Sequence, residues 1–329
     1  MTRSLLLVAA LAVPAVLSAQ DDPLRFYRIA VDIYRLGQTS DALRLARSWR
    51  IATVRSDARQ LFDDADRRLA PGVALLMTEL ARRDGASGPE LFAVAEMLVR
   101  GFRSSPDLKA FQERWYAFTA SVFTDELNLL GARTLIERGL RLVGESPRLL
   151  LMSGLVFEMS TYPHTTCQDC RPDDEQAVAR NLTRAAAAYR GGTALDPHSA
   201  HGHLRLGRVL QLLGDRAGAR QELAEVERIT SSAELLYLVA LFRSDLNQEE
   251  GDVRAAAAEA ERAVSIGPDY QSARIALAHL SDQLGLVDRS RKIVDELLRL
   301  PDAGDPWWEF RQPSLDFDSL EWMRSHVRQ

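Results

Sequence analysis

The chain has 329 residues and a formal net charge of −5, with acids and bases mixed along every segment. That length suffices for two domains or one elongated array with a sizeable core, and the even mixing of charge leaves no basic footprint for nucleic acid. Ala, Leu, Arg, Glu and Asp dominate, and no period-2 runs of β-branched and aromatic residues stand out, so an all-α fold is expected.

The chain opens "MTRSLLLVAALAVPAVLSAQDD": one Arg, an apolar run from Leu5 to Leu17, then small residues. This is the order of a secretory signal peptide. We expect residues 1–19 to be removed, with cleavage after Ala19, leaving an exported chain that is periplasmic or secreted. The apolar run is shorter than the roughly 17 to 25 residues of a membrane-spanning helix, so no membrane span is expected in the mature chain. Disulfides persist in such a compartment.

Residues 20–146 read as a helical region. "FYRIAVDIYRLGQTSDALRLA" carries Ile29-Ala30, Gly37 and Ala42 in an order that returns later in the chain. Between Trp49 and Ser146 that order weakens, although Ala117, Ala132 and Gly139 occupy plausible helix-crossing points. From Pro147 onward the pattern is regular. "PRLLLMSGLVFEMS" reads as a first helix with Gly154, and its second helix carries Ala185 and Tyr189 before Pro197. "AHGHLRLGRVLQLLGDRAGARQELAEVERI" has Gly207 on one helix and Ala219 on the next, with a break at Gly214-Asp215. "RAAAAEAERAVSIGP" ends at Pro268 with Ala256, Ala260 and Ala263 in matching places, and a further unit from Gln271 carries Ala278, Gly285 and Ser290 up to Pro301. Pro197 and Pro268 are 71 residues apart, two periods of 34 plus three, and the excess is assigned to a lengthened loop at "SDLNQEEGD".

These features resemble the tetratricopeptide repeat, a 34-residue pair of antiparallel helices with small residues where they cross and a Pro near the end. The resemblance covers residues 147–303 and part of the N-terminal region, and points to an exported bacterial type of such protein. It implies an all-α, right-handed superhelical solenoid of antiparallel helix pairs, whose stacked units form a concave surface that holds a partner. The family lines that groove with exposed positions of each first helix. Here those places are His201, Leu204, Arg208, Gln211 and Leu212 in one unit, and Ser272, Ile275, His279, Asp282 and Gln283 in another. The mixture carries few repeated charges and indicates no ligand class beyond a protein or peptide.

One stretch interrupts the pattern. In the uninterrupted unit Ala219 follows Gly207 by 12 residues, whereas Ala185 follows Gly154 by 31, so about residues 160–178 form an insertion 19 residues longer than the standard connection. It contains "HTTCQDC", with His164, Cys167 and Cys170. A c-type haem attachment needs His directly after the second Cys, but Arg171 stands there. A zinc site wants four ligands, of which these residues supply three, with Asp169 or Asp173 as a fourth. Redox chemistry at a C-x-x-C usually sits in a βαβ setting, which is missing. The favoured reading is a local Cys167–Cys170 disulfide stiffening an exported loop, with a redox or metal-binding envelope protein as the alternative.

The C-terminal stretch 304–329, "GDPWWEFRQPSLDFDSLEWMRSHVRQ", is rich in aromatics, including Trp307, Trp308, Phe310, Phe317 and Trp322. It is expected to cap the last repeat, since an array's end otherwise exposes its apolar face. No nucleophile elbow, zinc-protease, P-loop or dinucleotide motif occurs, so a non-catalytic scaffold without a cofactor is expected.

Overall fold

The computed structural model describes residues 41, 42, 44, 106–125, 127–162, 175–300 and 304–311. The signal-peptide stretch, the site residues His164, Cys167 and Cys170, and Phe317 and Trp322 lie outside the described residues. The chain divides into two compact units, residues 1–118 with 316–329, and residues 119–315. In the first, the described part includes the start of helix α1 (Pro106–Asp125), where the buried rings of Trp115 and Tyr116 meet edge to face at 5.0 Å.

The second unit is all-α among its described residues. After α2 (Leu129–Val143) come α3 (Pro147–Met159), α4 (Glu175–Leu195), α5 (Ala200–Leu212), α6 (Arg216–Ile229), α7 (Ala233–Glu249), α8 (Val253–Ile266), α9 (Gln271–Gln283) and α10 (Val287–Leu297). They pack as the pairs α3/α4, α5/α6, α7/α8 and α9/α10, and each pair stacks on the next, which makes an all-α helical-repeat solenoid. A short helix, α11 (Pro306–Arg311), follows.

One turn design recurs. Gly214, Gly251 and Gly285 end α5, α7 and α9 with φ of +82°, +82° and +76°. At each, the following N–H reaches back to the helix: Asp215 to Leu210 O, Asp252 to Asn247 O and Leu286 to Ser281 O, all within 2.9 Å. These are glycine-closed helix ends of the Schellman kind, where a left-handed residue satisfies otherwise orphaned carbonyls. Asp215 and Asp252 then cap the next helix by accepting from the N–H groups of Gly218 and Ala255.

The crossing point is also periodic. A Cβ added to Gly207 would lie 3.4 Å from Ala219 O. Twelve residues separate that pair, and the same separation joins Ser244 Oγ to Ala256 O and Ser290 Oγ to Ala278 O, each at 2.9 Å. A seryl hydroxyl reaches a backbone carbonyl on a neighbouring helix only where two helices approach closely, so Ser244 marks the crossing in the α7/α8 pair. The expected crossing residues Ala185, Ala219, Ala256 and Ala278 are all buried, as are Gly154 and Gly207.

Two connections differ from the sequence-based expectation. The three extra residues are not in a loop at "SDLNQEEGD", most of which is helix. α7 has 17 residues against 13 in α3, α5 and α9, and the added turn lies at its N-terminal end, because Ser244 stands eleven residues from the start where Gly207 and Ala278 stand seven. A whole added turn keeps the buried face in register, which is why helix, and not loop, absorbs the excess. The insertion also ends earlier than residue 178. α4 begins at Glu175, ten residues before Ala185, whereas α6 begins three before Ala219, so seven of the 19 extra residues are two further helical turns.

Candidate binding face

The first helices of the repeats lie side by side and present one face built from equivalent positions. Arg205 of α5 and Phe242 of α7 each stand two residues before their crossing residue. On this face rests α11. The Phe310 ring packs edge to face on Phe242 at 5.1 Å, and Trp307 lies at 4.9 Å from the same ring. The Arg205 guanidinium sits 4.0 Å above the Phe310 ring and donates from Nη2 to Phe310 O at 2.8 Å. Asp305, only 4% exposed, accepts from the Tyr237 hydroxyl of α7 at 3.2 Å and from the Ser272 N–H of α9 at 2.7 Å. It also accepts from the Trp307 N–H, capping α11 itself.

For Trp307 and Phe310 this placement differs from the expected end cap; the rest of the stretch 304–329, from residue 312 on, lies outside the described residues. Trp307 and Phe310 belong to the core shared by α4 to α9 and α11, not to the outer side of the last repeat, where Val287, Val294 and Leu298 stay exposed. The physical reason is Phe242: a fully buried aromatic on the first-helix face gives the C-terminal rings a better partner than the aliphatic edge of α10.

Behind the face lies a buried polar cluster. Glu158 of α3 has no exposed surface, and its Oε1 and Oε2 accept from the hydroxyls of Tyr162 and Tyr189, each at 2.7 Å. Arg205 Nη1 lies 3.3 Å from both oxygens. Burial pushes the Tyr189 and Tyr162 phenols well above their ordinary range, and the Glu158 charge adds to it. Burial works against the Arg205 charge, but Glu158 outweighs it and the pKa rises. The cluster therefore fixes a cation under α11, with a satisfied partner for every charge.

The ten expected groove residues divide. His201, Leu212, Ile275, His279, Asp282 and Gln283 are exposed, and Arg208 is half-buried. Leu204, Gln211 and Ser272 are buried and do not present a free surface. Leu204 is a core side chain. Gln211 is covered by its own bonds, accepting from Arg208 at 3.1 Å and donating to Glu249 at 2.8 Å. Ser272 lies beneath Asp305. The equivalent positions of the middle repeat, Asp245, Gln248 and Glu249, line an open depression. Sequence reasoning passed over them, together with Arg205, Tyr237, Phe242 and Asp305. Carrying the groove register across to α7 finds the first three; nothing in the local pattern finds Asp305.

Among the described residues no group of three or more His, Cys, Asp or Glu is placed to hold a metal ion, and no helix is long and apolar enough to cross a membrane.

A tetratricopeptide-repeat family model matches residues 248–309, from the end of α7 into α11. No curated protein matches the chain. Solved structures do. MamA is similar at 17% identity and a TM-score of 0.40, over 52% of this chain and 87% of that one. A monomeric mutant of IFIT1 with Gppp-AAAA is similar at 13% identity and a TM-score of 0.48, over 86% and 65%. TTC0263, a thermophilic TPR protein of Thermus thermophilus, is similar at 16% identity and a TM-score of 0.33, over 78% and 97%.

Proposed function

We propose that the chain is an exported, non-enzymatic scaffold that holds a protein or peptide partner on the face made by its first helices. The observation that carries this reading is the docking of Asp305 and the six-residue helix α11: the helix meets first helices α5 and α7 through two aromatic rings, and the carboxylate before it reaches the first helix α9. A face that seats one short segment has the polar and aromatic groups that peptide recognition uses. The repeat stack and the family match over 248–309 support the scaffold class, and the leader-like first residues support export.

The test is site-specific photo-crosslinking in cells. A photoreactive residue at Ile275 or His279, exposed on the first-helix face, is compared with one at Ala224 or Ala258, exposed on second helices. We expect a discrete crosslinked protein from the first pair only. Equal labelling at all four positions, or labelling confined to the second helices, sinks the proposal.

A further inference from the structure

Resting on that reading, we infer that the first-helix face of α5, α7 and α9 is a receptor for a short acidic–aromatic segment: a carboxylate, then aromatic rings two and five positions on. Asp305–Phe310 is the chain's own copy, and a partner protein bearing the same pattern replaces it.

Three footholds carry the inference, one on each of three successive first helices. The first takes a carboxylate. α3, α5, α6, α7 and α8 are capped by their own Ser or Asp side chains, but the N-caps of α9 and α10, Tyr270 and Leu286, make no side-chain cap bond, and of these two α9 is the one that receives a carboxylate from elsewhere in the chain. The N–H of Ser272 is turned instead to Asp305, and the next one, of Ala273, to the Tyr237 hydroxyl, which itself donates to Asp305. The site thus joins a helix N-terminus to a fully buried phenol, both aimed at one carboxylate that comes from elsewhere in the chain. The second foothold is Phe242, which takes both rings. The third is Arg205, held in place by Glu158 and stacked on the Phe310 ring.

The spacing is as informative as the contacts. Asp305, Trp307 and Phe310 face the receptor, while Trp308 is half exposed and belongs to no foothold. A six-residue helix is too short to be stable by itself, so its hold comes from these contacts alone. An internal copy joined by a short linker competes at an effective concentration of about 1 mM, so if the copy's own intrinsic affinity is about 10 μM, any partner segment binds about a hundredfold more weakly until the copy is out of the way. The chain therefore selects partners that add contacts beyond the three footholds.

The experiment uses a fluorescent nine-residue peptide with the sequence of residues 304–312, GDPWWEFRQ. The full chain carries one protease site inserted between Leu300 and Gly304 and a second between Gln312 and Asp316, so that residues 316–329 stay with the first unit; it is folded, then cut at both, and the released segment is removed by gel filtration. An uncut full chain with Asp305→Ala and Phe310→Ala serves as a second emptied form. We expect the peptide to bind both at least about tenfold more tightly than the uncut native chain, and to lose at least about tenfold when its own Asp is changed to Asn or its Phe to Ala. Absence of binding to an emptied chain that retains its helical circular dichroism overturns the inference and makes α11 a permanent strap. Native chains that exchange segments into dimers in sedimentation also overturn it, since the occupant is then a second copy. Crosslinks at Ile275 and His279 that persist while the peptide fails sink this inference and leave the scaffold reading standing.

Discussion

Arg205 and Glu158, 47 residues apart in the chain, meet as a buried ion pair in which Nη1 lies 3.3 Å from both carboxylate oxygens. The Glu158 side chain has no exposed surface and that of Arg205 is 13% exposed. Removing one member leaves the other charged and buried. Arg205→Ala is expected to cost about 3 to 5 kcal/mol in urea unfolding. Arg205→Met combined with Glu158→Gln, whose amide oxygen accepts from one of the two phenols while its NH2 donates to the hydroxyl oxygen of the other, recovers most of that loss. A double variant as unstable as the sum of the singles refutes the pairing.

The tyrosines on Glu158 set an alkaline limit. Unfolded phenols ionise near pH 10, and burial raises the folded-state values of Tyr189 and Tyr162. Above about pH 10 the folded chain keeps protons that the unfolded chain has lost, so stability falls as pH rises; below it both states are protonated and these groups add no slope. Urea midpoints measured from pH 8 to 11 should decline above pH 10. Tyr189→Phe should decline less steeply, and an unchanged slope counts against the burial of that hydroxyl.

The two crossing glycines differ in the space around them. A Cβ at Gly154 would stand 2.5 Å from the Tyr189 ring, which cannot retreat while it bonds Glu158, whereas at Gly207 the nearest atoms are at 3.4 Å. Gly154→Ala is expected to destabilise by about 1 to 3 kcal/mol through overpacking. Gly207→Ala is expected to be neutral or to stabilise by up to about 1 kcal/mol, the helix-propensity gain. Equal effects would show that the α3/α4 crossing is looser than described.

The recurring turns supply a third comparison. Gly214 and Gly251 have open space where a Cβ would go, so any cost of Gly→Ala there comes from a φ of +82° alone. About 1 kcal/mol is expected at each, on the scale of the left-handed penalty, and about 1 kcal/mol for loss of the Asp252 cap in Asp252→Ala. Gly251→Asn should lose less, because Asn tolerates the left-handed region. Thermal melts of the variants decide it.

The helix pairs, their small crossing residues and the glycine-closed turns were legible in the sequence, because each is set by local geometry. Close approach of two helices demands small side chains at a fixed separation, and a left-handed turn residue demands glycine. The same logic mislaid the extra turn of α7, since a one-turn helix extension and a lengthened loop leave the same residue count between repeats. Exposure is a different kind of property. Leu204, Gln211 and Ser272 occupy groove positions by register, yet whether such a residue faces solvent depends on what the packed stack sets around it: the core for Leu204, Arg208 and Glu249 for Gln211, and Asp305 for Ser272. Asp305 and Phe310 reach back over intervening helices to Tyr237, Phe242 and Arg205. That return is decided by which buried ring and which unfilled N–H groups the folded stack leaves open, quantities that exist only once the repeats have packed.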